Sequence, residues 1–187
     1  MGHRGHHAAA TLADFLRALH RDAPPTARTN PNRGVPLRTL AREFDNKLPA
    51  ITTAMSAEVR AAWDEAVDAP EWAGPPVWLH GDLHPANVVV AEATSAGVID
   101  FGELCAGDPA TDLAAAWLLL PDGAAEPFFD AYSTADRATI RRARGWALLR
   151  GLSLIDIGRA WERGLPCGQQ TWAPLGRAAI ERVLASR

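Results

Sequence analysis

Three short apolar runs, at 77–79, 88–90 and 97–99, read as strands, and the other apolar residues recur mostly at helical spacing. Gly74-Pro75-Pro76 punctuates ahead of the first, and Thr94-Ser95-Ala96-Gly97 reads as the turn between the last two. Three such runs are too few to make a layered sheet. The expected fold is therefore α+β and mainly α-helical, with one small β-hairpin embedded near the middle of the chain.

The helical pattern can be followed on both sides of the hairpin. Thr11 is a plausible N-cap for a helix carrying Leu12, Phe15, Leu16 and Leu19, which Pro24 and Pro25 end. Residues 1–10 are expected to be a disordered tail, residues 23–36 a loop, and residues 11–187 a single domain. Leu37, Leu40, Ala41, Phe44 and Leu48 form a second stripe, and Ser56 is placed to cap a third helix through Val67. Thr111 is a further candidate N-cap, ahead of an apolar helix at 113–120. Residues 135–162 read as one long helix or two, and a last helix covers about 174–186.

Charge narrows the function class. All 19 basic residues lie at or before Arg60, or at or after Arg137, while residues 61–136 carry fourteen acids. Such a stretch repels a phosphate backbone, which argues against nucleic acid as a partner and suits a metal cation or a cationic substrate. Cys105 and Cys167 are too few for a disulfide framework, and no run approaches the ~18 uncharged apolar residues of a membrane span. The expectation is a cytoplasmic protein with no membrane partner.

The hairpin carries the chemistry. The loop His80-Gly81-Asp82-Leu83-His84-Pro85-Ala86-Asn87 leaves one strand and enters the next, and Val98-Ile99-Asp100-Phe101-Gly102 returns beside it. This arrangement brings the carboxylates of Asp82 and Asp100 and the amide oxygen of Asn87 to one mouth. Hard oxygen donors of this kind suit Mg2+, which takes one or two carboxylates together with substrate phosphates. Asp82, less directly placed for a metal, is positioned to accept a proton from a hydroxyl nucleophile.

The segments HGDLHPAN (80–87), VIDFGE (98–103) and GDPATDLA (107–114), in that order, resemble the aminoglycoside phosphotransferase and choline kinase family, which has a protein-kinase-like fold. The resemblance implies that Asp82 is the catalytic base. It implies that Asn87 and Asp100 hold the Mg2+ that bridges the phosphates of ATP or GTP, and that the acceptor is a small-molecule hydroxyl. It also makes Asp112 a buried brace of the catalytic loop and His80 a structural residue of that loop. Ala86 stands where many relatives have Gly. The chain after about residue 10 is similar to the family's C-terminal lobe.

The N-terminal β-rich lobe of that fold has no counterpart here. Only 79 residues precede His80, they read as helices, and the single lysine, Lys47, lies on a helical stripe. The alternative function is thus a catalytically inactive remnant or binding module lacking the ATP-covering lobe. That lobe is then a missing partner, or self-association covers the apolar edge where it would dock. A metallophosphoesterase, reading Asp82-Leu83-His84 as a metal pair, is set aside because no Asn precedes a His and no His follows His84.

Other residues have plainer readings. Asp108 suits a helix cap, and His84 fills space beside Pro85. Glu103 is equally a neighbour of the metal or a solvated acid. Most tryptophans are packing residues, although Trp72 and Trp172 could line a substrate wall. The cysteines are inert thiols, and Arg141, Arg142 and Arg144 form the wet face of a helix. His3, His6 and His7 sit on a terminus without fixed geometry.

Overall fold

The computed structural model describes residues 2–91 and 94–186. Eight α-helices among these residues surround two small antiparallel sheets. Helix α1 (Gly2–Leu19) is followed by α2 (Ala41–Lys47) and α3 (Thr53–Val67), then by strands β1 (Val77–Leu79), β2 (Val88–Ala91), β3 (Thr94–Val98) and β4 (Cys105–Gly107). The chain closes with α4 (Ala110–Leu113), α5 (Ala115–Leu118), α6 (Ala125–Tyr132), α7 (Arg137–Glu162) and α8 (Trp172–Ala185).

The long helix α7 is the axis of the core. Its buried Trp146, Leu148, Leu149, Leu152 and Ile155 pack with Phe44, Trp63, Leu113 and Phe128 from the surrounding helices. Phe44 and Trp63 stack with ring centroids 4.1 Å apart, a contact worth roughly 0.5–1.5 kcal/mol beyond the area it buries. The side chain of Asp136 caps α7 by accepting from the Thr139 amide at 2.7 Å.

Several expected boundaries moved, each for a local reason. Helix α1 starts at Gly2 and takes in most of the stretch expected to be a disordered tail, because Ala9 is buried in the core. Thr11 is therefore interior to α1, and its hydroxyl donates back to the His7 carbonyl rather than capping. Ser56 does the same to Thr52, the residue just before α3. Thr111 lies within α4, where its hydroxyl accepts from the Gly34 amide at 3.0 Å. The apolar helix expected at 113–120 is two four-residue pieces, and α6 is an element the sequence reading did not place. Residues 94–97, expected as a turn, are part of strand β3.

Arg142 needs the largest correction. It is buried, and its guanidinium grips Asp108, Nε to Oδ2 at 2.7 Å and Nη2 to Oδ1 at 3.3 Å, instead of facing water. Arg144, from the same expected wet face, is half-buried and donates to the Val183 carbonyl. Asp108 also accepts from the Ala110 amide, so the expected cap contact is present beside an ion pair that the spacing could not disclose.

Strands β2 and β3 form the embedded hairpin, in register Val88 with Val98, while β1 pairs with β4, a strand absent from the sequence reading. Behind β4 runs the segment at 28–36. The Ala106 amide donates to the Arg28 carbonyl at 2.8 Å and the Asp108 amide to the Gly34 carbonyl at 3.1 Å. The backbones approach so closely that a Cβ on Gly107 would lie 2.5 Å from both Cα and O of Gly34. Gly107→Ala is accordingly expected to destabilise the protein by about 1–3 kcal/mol, read as a lower midpoint in urea unfolding. An unchanged midpoint would contradict this packing.

Candidate functional site

The loop from β1 to β2 is held from beneath by a single carboxylate. Asp112, at the start of the core helices and 1% exposed, accepts from the His80 amide at 2.7 Å and from the Gly81 amide at 2.9 Å. Gly81 has φ +84°, and a Cβ there would meet the Glu103 carbonyl at 2.6 Å, so the turn requires glycine. Asp112 has a third partner, His20 Nε2 at 3.2 Å, and the Nδ1 of that ring meets the Tyr132 hydroxyl at 2.8 Å. Nε2 therefore donates to the carboxylate, while Nδ1 accepts from Tyr132.

His80 ties the loop to the neighbouring strand. Its Nδ1 accepts from the Asp82 amide at 3.3 Å, which leaves Nε2 to donate to the Ile99 carbonyl at 3.0 Å. The Ile99 amide in turn donates to the Asn87 carbonyl at 2.9 Å. Asp82, Asn87 and Asp100 are thus carried on two segments stitched together at Ile99.

The three side chains sit in different surroundings. Asn87 is buried, and its Nδ2 donates to the Asp82 carbonyl at 3.0 Å, so Oδ1 is the amide atom left to face outward from that bond. Asp100 is exposed, in a left-handed backbone conformation with φ 61°, and its Oδ1 accepts from the Gly102 amide at 3.3 Å. Asp82 places Oδ2 3.2 Å from His84 Nε2 and Oδ1 3.4 Å from Arg33 Nη2. Because His84 Nδ1 accepts from the Ala86 amide, its proton is on Nε2 and points to Asp82.

Burial acts to raise the pKa of Asp82, but the His84 hydrogen bond and the charges of Arg150 and Arg33 outweigh it. Its carboxyl therefore lies below the usual carboxylate value and is ionised at neutral pH. A carboxyl depressed in the folded state stabilises the fold above its ordinary value and loses that contribution as pH falls through the folded value. Removing the imidazole in His84→Ala is expected to raise the folded-state pKa of Asp82, so the carboxyl contributes less stability and that contribution is fully lost at a higher pH. A 13C NMR titration of the Asp82 carboxyl checks this, and an unchanged midpoint would contradict the role of His84.

Sequence reasoning missed Arg33, His20, Arg150 and Asn30, all distant in the chain from the loop they serve. Asn30 donates to Glu103 at 2.6 Å, so this acid is not free in solvent. His84, read as a space filler, touches Asp82 and packs 5.0 Å from the Trp172 ring, which places that tryptophan at the loop. Trp72 lies elsewhere and donates to the Pro75 carbonyl. The Cys105 thiol is buried and pushed up to about 11, first by burial and then by Asp112, so it is a poor nucleophile.

Among the described residues no three His, Cys, Asp or Glu side chains cluster as a metal centre, and no helix is long and apolar enough to cross a membrane. Ile99 and Phe101, which flank Asp100 in the chain, are exposed large hydrophobics, as is Val89 on β2.

Comparison with known proteins places this arrangement. The family model described as "Phosphotransferase enzyme family" matches residues 4–151. No match is found among curated protein sequences. Among solved structures, the GDP complex of aminoglycoside 2'-phosphotransferase-IIIa superposes with a TM-score of 0.60 at 18% identity, over 99% of this chain and 64% of that one. The macrolide 2'-phosphotransferase of Brachybacterium faecium superposes with a TM-score of 0.55 at 22% identity, over 95% of this chain and 61% of that one. The chain spans roughly three-fifths of the length of these structures, and the likeness establishes a shared fold.

Proposed function

Since the chain belongs to the phosphotransferase enzyme family, we propose that it transfers the γ-phosphoryl group of ATP or GTP to a hydroxyl of a small molecule. The observation that carries this reading is the ionised Asp82, fixed on a loop whose backbone is bound by Asp112, His80 and Asn87. Asp82 orients the acceptor hydroxyl and takes its proton as the new P–O bond forms. Asp112 and His80 keep the loop from shifting, which matters because catalysis of this kind is mostly positioning.

The donor chemistry fits Mg2+. Asn87 Oδ1 and the Asp100 carboxylate are hard oxygens, few in number, as expected for an ion that also takes phosphate oxygens and water. Bound there, the ion would neutralise charge on the phosphoryl oxygens. The fold is read as the C-terminal lobe of the kinase-like architecture, spanning residues 11–187, and the exposed Ile99 and Phe101 beside Asp100 support an apolar partner covering that edge. Kanamycin, gentamicin, a macrolide and choline sample the acceptor chemistries in this class. Incubation with γ-labelled ATP and GTP is expected to label at least one of a panel built around them, and no transfer with either donor would overturn the reading.

A further inference from the structure

The segment at 28–36 meets the site through one tight turn, Asn30-Pro31-Asn32-Arg33. The Arg33 amide donates to the Asn30 carbonyl at 3.4 Å, and Pro31 supplies the φ that the second position of such a turn favours. Asn30 Oδ1 accepts from the Asn32 amide at 2.8 Å, so the side chain that opens the turn also stiffens it. The turn is anchored from behind at Gly34. The Gly34 amide donates to Thr111 Oγ1 at 3.0 Å, and the Gly34 carbonyl accepts from the Asp108 amide at 3.1 Å.

The two ends of this turn send side chains to different halves of the site. Asn30, which is buried, donates to Glu103 at 2.6 Å, and Glu103 closes the short helical turn that Asp100 opens. Arg33 places Nη2 3.4 Å from Asp82 Oδ1 while its Nη1 is tied to the Asn32 carbonyl at 2.9 Å. The two halves already abut, since a Cβ on Gly81 would lie 2.6 Å from the Glu103 carbonyl oxygen. The turn therefore closes a triangle whose sides are Gly81 to Glu103, Glu103 to Asn30, and Arg33 to Asp82. At 3.4 Å the last contact is long for a charge-assisted bond, and its side chains are 18% and 29% exposed, so it adds little stability. What keeps the guanidinium beside Asp82 is the anchored turn. With His84 3.2 Å from Oδ2, the carboxylate is bounded at both oxygens, and its orientation is set relative to the segment that carries Asp100.

We propose that the turn at 30–33 is a two-armed brace that fixes the Asp82 carboxylate against the segment 100–103, with Arg33 as a positioning residue for the base. The catalytic meaning of the brace rests on the phosphotransferase reading, but its mechanical part does not and is read without turnover. In the 13C-labelled full chain at about pH 8, far above any carboxyl titration, the Asp82 Cγ signal reports contacts rather than protonation. That signal is expected to move in Arg33→Met, and also in Asn30→Ala and Glu103→Ala, which release the other arm without touching Asp82. Arg137→Met, at the exposed start of α7, is expected to leave it in place. Glu103→Ala keeps the test open if Asn30→Ala fails to fold. An Asp82 signal that ignores the release of the other arm would make Arg33 an ordinary ion pair and overturn the brace. In the transfer assay Arg33→Met is expected to lower kcat by about tenfold or more with little change in the KM for the nucleotide, as for a misplaced base. Arg33→Lys, which keeps the charge, is expected to recover most of that loss. An unchanged kcat, or a rise in KM alone, would overturn the positioning role. A wild-type chain that transfers nothing removes the phosphotransferase reading and leaves the carbon signals to decide the brace.

Discussion

Asp82→Asn is expected to lower the turnover number for phosphoryl transfer by about 10²–10⁴-fold, the range of a lost general base, while the protein stays folded. The amide keeps the shape of the side chain but cannot accept the hydroxyl proton. The structure separates the two effects. The side chain of Asp82 is 29% exposed, and it is the backbone carbonyl of Asp82, not its carboxyl, that fixes Asn87. The loop's hold on Asp112 runs through the amides of His80 and Gly81, which the substitution leaves alone. Thermal unfolding should therefore stay within a few degrees of wild type. Turnover within threefold of wild type would remove Asp82 from the chemistry.

Asp112→Ala is expected to act on stability and turnover together. It strips the acceptor from two buried amides and from His20, and each buried donor left unsatisfied costs roughly 1–3 kcal/mol. A total of about 3–5 kcal/mol follows, which in a chain of this size lowers the melting temperature by roughly 6–20 °C. Asp112→Asn keeps one carbonyl oxygen for one amide and should lose less. The ordering Asp112→Ala below Asp112→Asn below wild type, in both melting temperature and turnover, distinguishes a brace of the loop from a mere helix cap. Equal melting temperatures for all three would contradict it.

What could be read from the letters was whatever is local in the chain. The helical stripes of α2, α3, α7 and α8 and the apolar runs of β1 and β2 each follow from side-chain pattern over a few residues. The loop at 80–87 was legible because its residue types sit at short, ordered spacing. Contacts that close over long separations were not. Arg142 looked solvated because its helix face is set by Asp108, 34 residues away, and Arg33 looked like part of an open loop until β4 drew residues 28–36 against Asp82. Strand β4, three residues reading Cys-Ala-Gly, has no β-branched side chain to announce it and exists because β1 offers an edge. Boundaries slipped where a hydroxyl has two local options. Thr11 and Ser56 bond back to the preceding turn instead of capping the next.

Paramagnetic broadening by Mn2+ in the presence of ATP tests the central claim most directly, because it reports where a divalent ion meets phosphates without requiring an acceptor. The amide signals of Asn87, Asp100 and Gly102 are expected to vanish first and to return in Asp100→Ala. Broadening centred instead on the acids at 122–130, or the same pattern in wild type and Asp100→Ala, would contradict a phosphoryl-transfer site at this hairpin.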